Sequence, residues 1–267
     1  MKGNQEHDNG RQLQIEDYLQ KNKLETEGIV EVPSVFDVPS KEKIDTKTVT
    51  NELLEKILSK DNMNTAFKRV KANKGASGID DMTVDELLQY LKENGEQIKE
   101  DIRNGIYNPK AVRRVEIPKT DRSKRKLGIP KVVDRVIQQA IAQQLSIIYE
   151  PIFSENSYGF RPNRSAQDAI LKAKEIMNNG YKWVVDLDLE KFFDTVNQDL
   201  LISIIRRTIN EDKVVSIIRK YLQAGVLVNG VFKNTEKGTP QGGNISPILS
   251  NIMLNELDKE LEKRGLQ

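Results

Sequence analysis

Two aspartates placed two residues apart could carry metal chemistry. Asp186 and Asp188 lie in the segment YKWVVDLDLE (residues 181–190), in which apolar and polar residues alternate. Because successive side chains of a β-strand point to opposite faces, the alternation predicts a strand with both carboxylates on one face. Mg²⁺ prefers such oxygen ligands, completed by water and substrate phosphates. An exposed polar strand face is the alternative, but the aromatic pair Phe192-Phe193 directly after the segment favours a metal site.

A glycine-rich segment and a compact aromatic turn could also contact a ligand. Residues 237–244 read KGTPQGGN and lead into a helix predicted to begin at Ser246, as its N-cap, and Pro247. Glycines let the backbone approach a ligand closely, and a helix N-terminus favours an anion. The segment is neither a P-loop nor a dinucleotide fingerprint, and a plain connection is the alternative. The turn at residues 157–162, SYGFRP, could equally cap the core.

Positive charge is concentrated in one stretch of the chain. Residues 110–135 hold ten Lys and Arg against three Asp and Glu, whereas the whole chain has a net charge of only +2. Val112, Val115 and Ile117 alternate with polar residues, which predicts a hairpin rather than a disordered basic arm. Clustered cations repel one another, and a polyanion such as nucleic acid would relieve that repulsion. A solvated charged face is the alternative.

The composition excludes several classes of function. The 267 residues contain no cysteine and a single histidine, His7. Disulfide frameworks, zinc sites built on Cys and His, and histidine-dependent nucleophiles are therefore excluded. No apolar run approaches the roughly 18 residues of a membrane span, and the first residues form no apolar leader. We expect an intracellular, cytoplasmic protein whose chemistry rests on carboxylates, Lys, Arg, backbone groups and metal.

Hydrophobic periodicity predicts a helix-rich chain with a few antiparallel strands. Residues 1–45 lack a sustained period and are expected to form a flexible extension. Asn229-Gly230 between two apolar runs marks a β-hairpin. The periodicity predicts helices from Thr50 with a break near residues 60–62 and a continuation through Val70, from Thr83, from Pro130 to before Pro151, from Ser165 to Met177, over about 198–209 and 212–223, and from Ser246 to Gly265.

Taken in order, these segments resemble the reverse transcriptases of bacterial group II introns, also called intron maturases. Six motifs in sequence carry the resemblance: NKGASGID followed by Asp81, IPK at Ile117–Lys119, RKLGIP at Arg125–Pro130, YGFRP at Tyr158–Pro162, DLDLEKFFD at Asp186–Asp194 and GTPQGGNISP at Gly238–Pro247. The resemblance implies an α+β, helix-rich, right-hand polymerase with fingers, a partial palm and small antiparallel sheets. It further implies N-terminal helices and fingers over residues 46–150, and fingers and palm over residues 151–267.

The resemblance also implies roles for individual residues. Asp188 matches the catalytic aspartate that binds both metal ions, and the Leu189 carbonyl is a further metal ligand, whereas Asp186 matches no metal position. The residues implied to bind the dNTP are Lys119 and Arg125 at the triphosphate, Phe193 under the sugar and Gln241 in the nucleotide pocket. The cations expected to bind RNA are Lys110, Arg113, Arg114, Lys124 and Lys126.

The function implied is RNA-directed DNA synthesis with Mg²⁺, together with binding of the intron RNA as a splicing maturase. The expected partners are group II intron RNA, an RNA template, a DNA primer and dNTPs, with no membrane; the oligomeric state stays open, a homodimer included. The family places a Tyr-x-Asp-Asp strand after the last predicted helix, and this sequence stops at Gln267. We therefore expect an N-terminal piece that does not polymerise alone. The alternatives are a non-catalytic module for structured RNA and another bacterial reverse transcriptase, such as that of a diversity-generating element.

Overall fold

A computed structural model describes residues 52–118, 124–239 and 242–266. The predicted extension at residues 1–45, Lys119 and Gln241 lie outside the described residues. The described elements, in chain order, are α1 (Leu53–Leu58), α2 (Lys60–Ala72), α3 (Leu87–Arg103), β1 (Val112–Pro118), β2 (Lys124–Ile129), α4 (Val132–Tyr149), α5 (Ala166–Asn178), α6 (Phe192–Thr195), α7 (Gln198–Thr208), α8 (Asp212–Leu222), β3 (Val226–Val228), β4 (Val231–Lys233) and α9 (Ser246–Lys263).

The core is built from helices that pack around α4. This helix follows Pro130 and is apolar on most of its surface, so it buries residues on nearly every side. Helices α2 and α1 pack against it, and α7, α8 and α9 complete the same hydrophobic cluster. The largest fully buried side chains are Leu53, Ile57, Leu58, Leu87, Ile137, Ile141, Leu145, Leu201, Ile205, Ile209, Ile218 and Leu222.

The four described strands form one sheet in the order β2-β1-β3-β4. Strands β1 and β2 form the predicted basic hairpin, and β3 and β4 form the second hairpin around Asn229-Gly230, at φ values of 50° and 78°. Both turn residues have the positive φ that a two-residue type I′ turn requires, so this prediction is confirmed. Val112 of β1 pairs in parallel with Val226 of β3, which joins the two antiparallel hairpins into one mixed sheet.

Local signals at helix starts are confirmed with small shifts. Ser165 and Asp168 form a reciprocal capping box at the start of α5. Thr83 and Glu86 exchange the equivalent hydrogen bonds, at 2.8 Å and 3.4 Å, although the regular helix begins only at Leu87, four residues after Thr83. Helix α9 has Ile245 rather than Ser246 at its N-cap.

The predicted strand at residues 181–190 is wrong. The structure assigns no strand to this segment, and all ten residues are exposed. A strand needs backbone hydrogen bonds from a neighbour, and among the described strands none pairs with it. Helix α5, which precedes the segment, likewise has no buried residue. The prediction that Asp186 and Asp188 share a strand face loses its basis with the strand, because alternation does not supply the backbone pairing that makes one.

Candidate active site

Two backbone hydrogen bonds join the glycine-rich segment to the turn around Phe193. Gly238 N donates to Val196 O and Thr239 N donates to Phe193 O, both at 2.7 Å. Gly238 has a φ of 82°, and a Cβ built on it would lie 2.5 Å from the Phe193 carbonyl oxygen. Only glycine therefore permits this approach. The structure thus brings together two motifs that are more than 40 residues apart in sequence.

The basic hairpin is the third segment at this site, beside the glycine-rich segment and the turn around Phe193. A Cβ built on Gly242, at a φ of 113°, would lie 2.5 Å from Gly128 O and 2.8 Å from the Leu127 side chain. Arg125 stands two residues before Leu127 on β2 and therefore on the same strand face. The face of β2 that carries Arg125 is thus the face that meets the glycine-rich segment.

The opposite face of the same hairpin carries most of the cations expected to bind RNA. Arg114 pairs with Gly128, and Lys124 and Lys126 lie on that same face of the hairpin. Lys124 Nζ forms an ion pair with Glu116 at 2.9 Å, and both side chains are exposed. Exposed pairs contribute only about 0–1 kcal/mol, so Lys124 can exchange this partner for a phosphate. The hairpin therefore separates Arg125 from these cations.

The remaining two cations lie at the base of the hairpin. Arg113 lies on the Arg125 face, with its Nη1 3.5 Å from Asp81 Oδ1. Lys110 is exposed, and its backbone N–H donates to Asp134 Oδ2 at 3.4 Å. The Nε atoms of Arg113 and Arg114 are buried without a hydrogen-bond partner. Arg113 and Lys110 are thus tied to neighbouring elements at the root of the hairpin.

The acidic residues supply only part of a metal site. Asp186 and Asp188 are exposed, and the Leu189 carbonyl accepts a hydrogen bond from Phe192 N at 3.3 Å, which leaves it a second lone pair. Within residues 52–118, 124–239 and 242–266, no three His, Cys, Asp or Glu side chains are grouped so that they could hold a metal ion. The Asp188 carboxylate and the Leu189 carbonyl are oxygen donors that suit Mg²⁺, but further ligands must come from elsewhere.

Phe193 is held at the junction of the site. Its ring packs edge-to-face against Phe192, with the ring centroids 5.7 Å apart, and Phe192 in turn packs against the core. With its carbonyl bonded to Thr239 N, the half-buried Phe193 is restrained on both backbone and side chain.

Comparison with known proteins agrees with this arrangement. The family described as reverse transcriptase (RNA-dependent DNA polymerase) matches residues 117–267, more than half of the chain. This chain belongs to the reverse transcriptase family. Partial and complete Cas6-RT-Cas1–Cas2 complexes share its fold; in the partial complex, the TM-score is 0.52 with 22% identity over 79% of this chain and 35% of that one.

Similar curated proteins include products of group II introns. The group II intron-encoded protein LtrA of Lactococcus lactis subsp. cremoris is 40% identical over 82% of this reverse transcriptase chain and 36% of its own length. Protein YkfC of Escherichia coli K12 is 38% identical over 73% of the chain and 53% of its own length. A putative COX1/OXI3 intron 2 protein of Saccharomyces cerevisiae is 34% identical over 82% of the chain and 26% of its own length. The chain thus spans about a third to a half of the first two relatives.

The YGFRP turn of this reverse transcriptase chain is fastened into the core by Arg161. The guanidinium is buried and forms an ion pair with Glu150 at 2.8 Å. It also donates to Ser157 O at 2.9 Å and lies over the Phe153 ring. The neighbouring Phe160 is 74% exposed at a φ of 54°. Arg161 therefore anchors the turn at the end of α4. This contact agrees with the alternative interpretation of the motif, in which the turn caps the core.

Sequence reasoning missed a polar contact beneath the glycine-rich segment. Asn244 Nδ2 donates to Gln139 Oε1 of α4 at 3.1 Å, and Gln139 lies 3.5 Å from the buried Gln143. Gln143 in turn donates to the side chain of Asn62 on α2 at 2.7 Å. The sequence signal that could have revealed this contact is the two pairs of glutamines on the largely apolar helix α4. These residues support the site of the reverse transcriptase chain without facing it.

Proposed function

We propose that this chain is part of an RNA-directed DNA polymerase encoded by a group II intron, which also binds its intron RNA as a splicing maturase. The observation that carries the proposal is the convergence of three segments at one place. The Phe193 turn bonds to Thr239, and Gly242 lies against Leu127 of the hairpin. Residues 46–150 are then N-terminal helices and fingers, and residues 151–267 fingers and palm.

The proposal assigns the Asp188 carboxylate and the Leu189 carbonyl to Mg²⁺. Arg125, together with Lys119, binds the dNTP triphosphate from the hairpin face that meets the glycine-rich segment. Phe193 packs under the sugar and discriminates against a 2′-hydroxyl, and Gln241 lines the nucleotide pocket. The restrained position of Phe193 supports this role in sugar selection. A side chain that excludes a 2′-hydroxyl must keep its position when the slightly larger ribonucleotide enters.

The reaction is nucleotidyl transfer from a dNTP to the 3′-hydroxyl of a DNA primer paired with an RNA template. The 3′ oxygen forms a bond to the α-phosphorus, and the bond to the pyrophosphate oxygen breaks. Mg²⁺, when bound, supplies activation of the hydroxyl and neutralises charge on the phosphates. Arg125 stabilises the negative charge on the triphosphate through charge-assisted hydrogen bonds.

Asp188→Asn tests the catalytic assignment. Primer extension on an RNA template with Mg²⁺ and dNTPs is measured with this chain and with any longer product of the same reading frame. We expect Asp188→Asn to lower extension at least 100-fold in whichever protein is active, because one metal-binding charge is lost. Asp186→Asn, the matched control on the same exposed segment, is expected to retain most of the activity.

The unfolding transition of each variant shows whether the fold is intact, and both substitutions are at exposed positions. Full activity of Asp188→Asn, or equal loss in both variants, would contradict the assignment.

A non-catalytic RNA-binding module is the second candidate function. It is favoured by the partial metal site, since Asp188 lies on an exposed segment without a strand partner and without an acidic cluster in the described ranges. The RNA-binding module predicts that every product of the reading frame binds RNA tightly and that none extends a primer. RNA-dependent DNA synthesis that requires Asp188 would exclude it.

A further inference from the structure

A second basic surface lies at the end of α2, away from the tip of the hairpin. Residues 68–74 contain four cations, at Lys68, Arg69, Lys71 and Lys74, and no acid. Acids follow this group closely, because Asp80, Asp81, Asp85 and Glu86 lie between it and α3, and residues 62–109 as a whole have a net charge of −1. Positive charge is therefore also clustered outside residues 110–135.

Three of these lysines lie near the C-terminal end of α2 and just beyond it. Lys68 and Lys71 are three residues apart on α2, which places their Cβ atoms about 5–6 Å apart, and Lys74 follows the helix at a φ of 43°. All three are exposed. They form no ion pair or side-chain hydrogen bond with the described residues, whereas Lys99, Lys124 and Lys131 each pair with a carboxylate.

The three lysines border a groove of about 820 Å³ between α2 and the loop at residues 74–85. Phe67 and Ala72 contribute apolar surface to it, and Ser77 and Thr83 contribute hydroxyl groups. Asp85 is the single acid among the lining residues. The groove therefore combines a net positive lining with the Ser77 hydroxyl as a donor, since the Thr83 hydroxyl donates to Glu86 at 2.7 Å, and this lining suits phosphate oxygens.

The loop that closes the groove is anchored to the root of the basic hairpin. The buried guanidinium of Arg135 donates to the Ala76 carbonyl, and Lys131 forms an ion pair with Asp80 at 2.9 Å. Arg113 of β1 approaches Asp81 at 3.5 Å. A Cβ built on Gly78 would lie 2.6 Å from the Lys131 backbone, so the loop lies directly against the hairpin base. The groove and the hairpin are thus neighbours that several polar contacts connect.

We propose that this groove, bordered by Lys68, Lys71 and Lys74, binds the ribose-phosphate backbone of RNA at a site separate from the hairpin. Three lysines without an ion pair in the described residues border this one groove, and a run of phosphates offers a separate negative charge to each of them, whereas a compact anion offers one site. Phe67, the aromatic residue in the lining, packs against the core and offers no free ring for a base. The site therefore grips RNA through charge and contributes little sequence preference. The inference rests on the proposed function.

The test replaces two of the lysines by neutral residues in this chain. Lys68→Gln with Lys71→Gln is compared with wild type for binding of a fluorescein-labelled RNA stem-loop with a single-stranded extension, over a series of salt concentrations. Each phosphate contact contributes about 0.7–0.9 to the slope of log affinity against log salt concentration. We expect the double variant to bind more weakly and its slope to fall by about 1.4–1.8.

Two further double variants separate the outcomes. Lys213→Gln with Lys263→Gln removes two exposed lysines from α8 and α9, outside the groove and without an ion pair in the described residues, and is expected to keep the wild-type slope. Lys124→Gln with Lys126→Gln removes hairpin charges and is expected to lower the slope independently, so that combining it with the groove variant adds the two reductions.

An unchanged slope for the groove variant beside a reduced slope for the hairpin variant would overturn the groove site and leave RNA binding by this protein intact. Equal losses in the groove variant and in the Lys213/Lys263 control would overturn it as well, because the effect would then be one of net charge. Failure of the wild-type chain to bind RNA would overturn both the groove site and the proposed RNA-binding function. Competition by inorganic pyrophosphate alone, with no slope change, would assign the groove to a compact anion instead.

Discussion

Asp134 is a carboxylate enclosed in the core of the protein, on α4, with 2% of its surface exposed. Its Oδ1 accepts hydrogen bonds from the hydroxyl groups of Tyr107 at 2.7 Å and Tyr221 at 3.3 Å. Burial raises the pKa of Asp134 above its ordinary value of 3.8, and the hydrogen bond from Tyr107 offsets part of that rise. The residue ties the loop before the basic hairpin to α4 and α8.

Asp134→Asn is expected to change how stability depends on pH. Because the folded-state pKa is raised, the contribution of Asp134 to stability is fully present below about pH 3.8 and is lost as pH rises through the folded pKa. The asparagine variant has no such group. Urea unfolding of both proteins between acidic and neutral pH should therefore show the stability of wild type falling relative to the variant. If the difference in unfolding free energy between the two proteins stays constant with pH, the pKa of Asp134 is not raised. If wild type becomes more stable relative to the variant as pH rises, the pKa is lowered instead.

Between elements, the glycine-rich segment is supported from below by α4. The hydrogen bond from Asn244 to Gln139 connects the start of α9 to the middle of α4, and Gln143 and Asn62 extend the polar contacts to α2. Because the Gln143 and Asn62 side chains are enclosed, an unpaired amide there would cost about 1–3 kcal/mol. These contacts hold the candidate nucleotide site in register with the helices beneath it.

A double-mutant cycle measures this support. Gln139→Ala and Asn244→Ala are expected to be non-additive by about 0.5–1.5 kcal/mol in the free energy of unfolding, because each removes the partner of the other. Ser146→Ala is the matched control, since Ser146 is a half-buried polar residue of the same helix that bonds only to Ala142 O. Its effect should add to that of Asn244→Ala. Additivity in the Gln139 cycle would show that the hydrogen bond contributes nothing to the fold.

At the scale of the whole described structure, α5 and the segment after it leave large apolar side chains uncovered. Helix α5 has no buried residue, and Trp183, Val184 and Val185 after it are 94%, 78% and 80% exposed. The same stretch carries Asp188, so the uncovered surface and the incomplete metal site coincide. No helix within the described ranges is both long and apolar enough to cross a membrane.

The fluorescence of Trp183, the single tryptophan of the chain, tests this exposure. We expect emission typical of indole in water, efficient quenching by iodide, and little shift in emission on unfolding in urea, because the ring is already hydrated. Free tryptophan amide serves as the reference for full exposure. Blue-shifted emission with weak quenching would show that the segment is covered in solution, by another part of the chain or by a second copy.

Prediction from sequence succeeded for features that depend on neighbouring residues. The predicted helix start at Ser165 and the predicted turn at Asn229-Gly230 each depend on atoms only a few positions apart, so the residue types determine the geometry directly. The order of the six motifs was sufficient to indicate the reverse transcriptase family, which the family match confirms. The individual site residues remain predictions, since a motif places them in a segment without showing what lies opposite.

The sequence by itself determined the approximate positions of most helices and of two hairpins, the family and the candidate residues, because local propensity and motif order are properties of the chain alone. Only the tertiary structure decided that Gly238 lies against the Phe193 carbonyl, that Arg125 and Lys124 lie on opposite faces of one hairpin, and that residues 181–190 have no strand partner among the described elements. Those outcomes depend on groups far apart in the chain, whose close approach or separation is set by packing and by the supply of backbone hydrogen-bond partners.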